Sequence, residues 1–256
     1  MPSSLADLVT GEVLACLLVF ARVGTAMMIL PMFAEQWLTA RARLAMALVV
    51  SFVLVPATGV VAPAMPDPVG LFLPVAGEMV VGAFLGLLIR WAFAGLHLAG
   101  TSIAMHSGLQ VAAMFDPHEA SQSTIPAAVL SMTVLTVLFA SDAHHLLLAG
   151  LARSYVVLPF GGLVDLDYLT EVMSHAGSHA FELAFRVASP VVLTTLLLNV
   201  VMGVMNRLMP TLQVMFVAAP AQILVSLIVL AAAMGSIALL AMRAMSVAWS
   251  DVLGNF

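Results

Sequence analysis

The sequence predicts an all-α fold of membrane-protein type, with about six apolar segments broken by proline and glycine. Three observations lead there. Of 256 residues, 63% are hydrophobic and 8% charged, and mean hydropathy is +1.15, whereas soluble domains run near 45–50% apolar and about 25% charged. Apolar runs also recur along the whole chain, and roughly 20 helical residues at 1.5 Å each suffice to cross the hydrocarbon. Finally, Arg22, Glu78, Arg90, Glu182 and Arg186 interrupt those runs. An ionisable group at membrane depth costs roughly 2.5–3.5 kcal/mol even on insertion scales.

Taken in order, the segments are 13–34, 44–64, 71–104, 124–152, 178–206 and 212–242. The second and last carry no charge within their apolar stretches. The third is too long for one straight span, and Gly95 and Gly100 point to a break or an overhang there. Pro31, Pro56, Pro74, Pro190 and Pro220 lie in or beside helical stretches. Each removes a backbone donor and tends to kink or end a helix, which membrane helices tolerate where neighbours or water satisfy the freed carbonyls. Gly82 and Gly86 form a GxxxG that lets helices approach closely. The 18 methionines read mainly as apolar filling. Arg41, Arg43 and Arg207, near span ends, place those connections in the cytoplasm and the N-terminus outside, with Arg153 dissenting.

Composition excludes several classes. All eight basic residues are arginine, so no lysine-rich run holds nucleic acid or anionic lipid, and the net charge of -5 is spread thinly. A single cysteine, Cys16, excludes an internal disulfide or a multi-cysteine metal site. The first residues lack a basic n-region and a small-residue cleavage pattern, the reading for a chain without a removable signal peptide.

Glu182 and Arg186 stand at i, i+4 with the acid first, the favourable order for a helical ion pair. Glu78 and Arg90 are twelve residues apart, about 18 Å on a continuous helix, and Arg22 has no acid within its own segment. These charges pair either with other helices of this chain or, the reading preferred on sequence, with partner subunits or a water-filled path. His175, His179 and Glu182 fall on one helical face, where imidazole and carboxylate can hold a divalent metal. With Glu182 opposite Arg186 and HExxH absent, a solvated helix entrance is the favoured reading. Asp142, His144 and His145 read as an interfacial cluster, with a proton relay as the alternative. P-loop, Gly-x-Ser-x-Gly and dinucleotide fingerprints are absent, so neither catalysis nor a cofactor is expected. A small-molecule or metal transporter and an intramembrane enzyme are the rival classes.

Residues 104–124, AMHSGLQVAAMFDPHEASQST, form the least helical stretch between apolar runs, with Gly108 and Asp116-Pro117 as breakers. Val111, Met114 and Phe115 beside Gln110 and Asp116 suit a loop lying against other protein.

In joint order and spacing the motifs resemble the FliR family of flagellar type III export-gate proteins, whose virulence counterpart is SctT. They are FARVGTAMMILPMF with Arg22 and Pro31, GEMVVGAFLG with Glu78, Gly82 and Gly86, and AGTSIAMHSGLQVAAMFDP with Gly108, Asp116 and Pro117. SYVVLPFGG with Ser154 and Pro159, then NRLMPTLQVMFVAAPAQI with Arg207, Pro210 and Pro220, complete the series. The Asn-Arg-x-x-Pro stretch at 206–210 favours the flagellar branch. Ala143-His144 stands where the family commonly has Gly-His, a departure that keeps the histidine and replaces the glycine.

The resemblance implies a chain of helical hairpins that closes a conical hetero-oligomeric gate with FliP-like and FliQ-like subunits, beside FlhB-like and FlhA-like export proteins, in the bacterial inner membrane at the flagellar basal body. It implies that residues 1–175 are FliP-like and 176–256 a FliQ-like hairpin, and that unfolded flagellar proteins pass through the gate. A plug loop maps to 106–122, with Met105, Gly108, Gln110, Met114, Phe115, Asp116 and Pro117 in or beside it. Arg22, Glu78, Arg90, Glu182, Arg186, Arg207 and Pro210 are expected at subunit contacts or as buried charges. No metal, cofactor or catalytic residue is implied.

Overall fold

A computed structural model describes residues 5–34, 38–59, 68–109, 124–160, 166–208 and 214–253. Regular structure there is helical throughout: α1 (Leu5–Ile29), α2 (Pro31–Ala34), α3 (Ala40–Thr58), α4 (Pro68–Ser107), α5 (Ile125–Ala140), α6 (Ala143–Val157), α7 (Leu166–Leu208) and α8 (Val214–Leu253). Among the described residues five stretches are long and apolar enough to cross a membrane, and α5 with α6, taken as one interrupted span, makes six.

Local chemistry explains the helix ends. Thr39 caps α3 by accepting from the Ala42 N–H at 3.3 Å, and Gly59, left-handed at φ 61°, closes it. Thr124 precedes α5 in extended conformation, with Pro126 in the first turn where its missing N–H costs nothing. The fourth apolar segment, expected as one run, is two helices. Ser141 closes α5 through its N–H to the Val137 carbonyl, and Asp142 turns left-handed at φ 56°, a conformation Asp tolerates better than most residues.

The prolines Pro56, Pro74, Pro190 and Pro220 lie inside helices that continue past them. At Pro190 the lost donor is replaced locally, because the Ser189 hydroxyl donates to the Arg186 carbonyl at 3.0 Å. That carbonyl is the one a proline at 190 leaves unserved. Hydroxyls of Thr25, Ser51, Thr133, Thr136 and Ser226 likewise donate to carbonyls three or four residues back, so apolar helices carry them without unsatisfied polar groups.

Two compact units are formed, each from separate stretches of chain. The first comprises 1–91, 142–176 and 247–256, and the second 92–141 and 177–246. In the first, α1 packs on α3 and α3 on α6, around Leu18, Val23, Met27, Leu30, Leu85 and Leu151. Trp249 is buried against Gly150 in this unit, so it packs inside the protein instead of anchoring a span at the membrane surface. In the second unit Leu96, Ile103, Ala127, Leu130 and Val187 are buried.

Of the break or overhang expected in the third segment, the structure takes the overhang, since α4 runs for 40 residues unbroken through Gly95 and Gly100. These glycines serve close approach. A methyl on Gly95 would meet the Ala180 backbone, and one on Gly100 the Ala127 backbone. Small residues at such crossings let dispersion act at short range, the main drive where lipid is as apolar as the core.

Candidate functional site

Within the first unit the polar centre is Arg22, 1% exposed and flanked on α1 by the buried apolar side chains Leu18, Val19, Val23 and Ala26. Its Nε donates to Glu78 Oε2 at 2.6 Å and its Nη2 to Oε1 at 2.9 Å, a bidentate pair between α1 and α4. Nη2 also donates to the Leu158 carbonyl at 2.9 Å, and Nη1 to Ser154 Oγ at 3.2 Å. Four of the five guanidinium donors are thus engaged. The Ser154 hydroxyl in turn donates to the Leu151 carbonyl at 2.7 Å. The Tyr155 ring covers the guanidinium, 4.0 Å from Cζ to centroid, in cation–π geometry.

Each partner has a local reason to be there. Leu158 follows the last residue of α6, where carbonyls lack helical donors and the helix dipole presents negative charge, so an arginine suits both needs. Glu78 precedes Gly82 and Gly86 on the same face of α4. A methyl on Gly82 would run into the Arg22 carbonyl and the Thr25 hydroxyl, and one on Gly86 into Ile29 and the Ala26 carbonyl. The glycines bring α4 close enough for the short Glu78 side chain to reach the guanidinium. Of the alternatives left open for these two charges, the structure takes pairing within the chain.

The other expected residues distribute differently. Arg90 is exposed on α4 and Arg207 on the last turn of α7. Glu182 and Arg186 form the anticipated i, i+4 ion pair, both about half exposed or more. His179 stands 3.6 Å from Glu182, and His175 pairs with Glu171 at 4.0 Å. The His175/His179/Glu182 face therefore divides into separate side-chain contacts along α7.

At the end of α4, in the second unit, Ser107 is buried and Gly108 is left-handed at φ 79°. Met105 is 61% exposed. The His106 carbonyl accepts from Gln222 Nε2 on α8 at 2.6 Å, a side chain capping a helix end. Gln110, Met114, Phe115, Asp116, Pro117 and Pro210 lie outside the described residues.

Sequence reasoning singled out Arg22 and Glu78 but not their joining, nor Tyr155, Leu158 and Gln222. Their contacts span 56 to 136 residues in sequence. The signal that could have pointed to Glu78 as a partner was its i, i+4, i+8 alignment with Gly82 and Gly86, which marks the face where another helix comes closest.

These elements define a helical membrane protein whose first unit is held by a buried arginine–carboxylate clasp. The family described as bacterial export proteins, family 1, matches residues 13–247, and this chain belongs to it. The flagellar biosynthetic protein FliR of Caulobacter vibrioides is 33% identical over 229 residues, covering 89% of this chain and 91% of that protein. FliR of Escherichia coli is 28% identical over 223 residues, covering 86% and 82%. The Yop proteins translocation protein T of Yersinia pestis is 28% identical over 157 residues, 60% of each chain.

Proposed function

We propose that this chain is the FliR-type subunit of a flagellar protein export gate. It is a membrane component of the flagellar export apparatus at the inner membrane, and it works by conduction without catalytic chemistry. The observation that carries the flagellar reading is coverage: the Caulobacter protein aligns along nine-tenths of both chains, while the virulence-system relative aligns over 60%.

In this reading the chain assembles with FliP-like and FliQ-like subunits, beside FlhA-like and FlhB-like proteins, and passes unfolded flagellar proteins. Residues 1–175 are the FliP-like part and 176–256 the FliQ-like part. The exposed apolar side chains Phe181, Phe185, Leu193, Leu196 and Leu197 on α7 support it, because a stripe of this kind needs cover from lipid or from neighbouring helices. The segment 106–122 acts as a plug: a path wide enough for an extended peptide leaks ions unless closed, and a closure held by weak contacts yields to substrate. Arg90, Glu182, Arg186 and Arg207, exposed in the single chain, are its candidate contacts to partner subunits.

Affinity purification of the tagged chain from its native membrane, with mass spectrometry of what comes with it, tests the assembly. FliP-like and FliQ-like chains in one complex are expected. Recovery of this chain alone or as a homo-oligomer overturns the reading.

A further inference from the structure

The turn between α5 and α6 gathers metal-ligand chemistry to which the proposed function assigns no role. Asp142, His144 and His145 each offer one ligand atom, and these atoms lie within 4.8 Å of one another. His145 Nδ1 stands 3.8 Å from Asp142 Oδ1, and the two imidazole rings are 4.1 Å apart and tilted by 37°. The backbone sets this spacing. Left-handed Asp142 turns its side chain toward the first turn of α6, and the His145 N–H closes the turn on the Asp142 carbonyl at 3.0 Å.

We propose that Asp142, His144 and His145 form an open site for a borderline divalent transition ion of the Zn2+ class. Two imidazoles and one carboxylate suit Zn2+, Co2+ or Ni2+, whereas Ca2+ and Mg2+ favour all-oxygen shells. A tetrahedral ion with bonds near 2.0–2.1 Å holds neighbouring ligand atoms about 3.3 Å apart. Closing the His145–Asp142 pair therefore needs about half an ångström, and a pair at the 4.8 Å bound about 1.5 Å, within the rotation available to the His145 and Asp142 side chains, 69% and 80% exposed. The same exposure leaves the remaining coordination position open to water or to a donor from another chain. The partial positive charge at the start of α6 opposes a cation, and the Asp142 carboxylate, directly at that terminus, offsets it.

Bound there, the ion ties residue 142 to the first turn of α6 and holds the left-handed turn in place. The inference stands on these residues alone and is independent of the export reading.

Zinc titration of the purified full-length chain by calorimetry tests it, with Co2+ absorption as a second reading of coordination. One saturable equivalent at micromolar zinc is expected, with an intense visible Co2+ band. His144→Ala and His145→Ala should each weaken binding at least about tenfold, since even groups behind the ligands cost that much. Asp142→Gly keeps the left-handed turn available while removing the carboxylate, so weaker binding in that variant isolates the ligand. Absence of a saturable equivalent overturns the site. So does binding unaffected by Asp142→Gly, or binding lost in His175→Ala/His179→Ala and retained in the 144 and 145 variants.

Discussion

Gly82 on α4 lies directly against the Arg22 backbone on α1, with no room between them for a methyl group. One turn before Gly82, Glu78 closes a bidentate pair on the Arg22 guanidinium. The two contacts depend on each other, because a wider helix separation carries the carboxylate out of reach.

Gly82→Ala should accordingly destabilise the isolated chain by about 1–3 kcal/mol through overpacking. Gly77→Ala, on the same helix with open space around its α-carbon, should be neutral or stabilise by up to about 1 kcal/mol from helix propensity. Thermal unfolding in one detergent compares them. Equal melting temperatures for the two variants would sink the crossing argument.

Removing either end of the clasp leaves a buried, unpaired charge. Glu78→Met or Arg22→Met should each cost about 3–5 kcal/mol, and Arg22→Met/Glu78→Met should cost less than the sum, because apolar replacement of both partners is often nearly neutral. A double-mutant cycle on unfolding midpoints measures the coupling. Since the partner of Glu78 lies in the same chain, the loss belongs to the stability of the chain itself, before any question of assembly.

The Glu182–Arg186 pair, half exposed, should behave differently. Arg186→Ala is expected to change the stability of the isolated chain by about 0.5 kcal/mol or less, as solvated i, i+4 pairs do. If α7 meets a partner there, flagellar export in cells falls while the melting temperature holds. Unchanged motility with unchanged stability would remove Arg186 from the proposed interface.

Deleting residues 110–116 tests the plug. Membranes carrying the assembled gate with this deletion should leak ions above the level of the unaltered complex, with subunit recovery unchanged. Conductance equal to that of the intact chain in an assembled complex would contradict the plug assignment.

Gly108 is left-handed at φ 79°, and Gly108→Ala should loosen the end of α4 by about 1 kcal/mol or more. Faster amide exchange over 103–109 is the expected sign, and unchanged exchange would count against strain there.

By itself the sequence determined the class, the apolar helical runs and the family. Hydropathy is a sum over neighbours, so apolar runs near 13–34 or 212–242 announce helices wherever they finally pack, and ordered motifs survive as a linear string. The i, i+4 pairing of Glu182 with Arg186 was legible for the same reason. What lies between distant residues was not. The roles of Gly95 and Gly100 depend on Ala180 and Ala127 coming alongside, which makes close crossings of positions that read as a break or an overhang. The division of 124–152 into two helices rests on Asp142 accepting a left-handed turn. Above all, Arg22 reads as an orphan until Glu78, Ser154 and the Leu158 carbonyl are brought to it across 56, 132 and 136 residues. A buried charge is neutralised by whatever the fold carries within about 3 Å, and proximity of that kind is decided by helix packing in three dimensions.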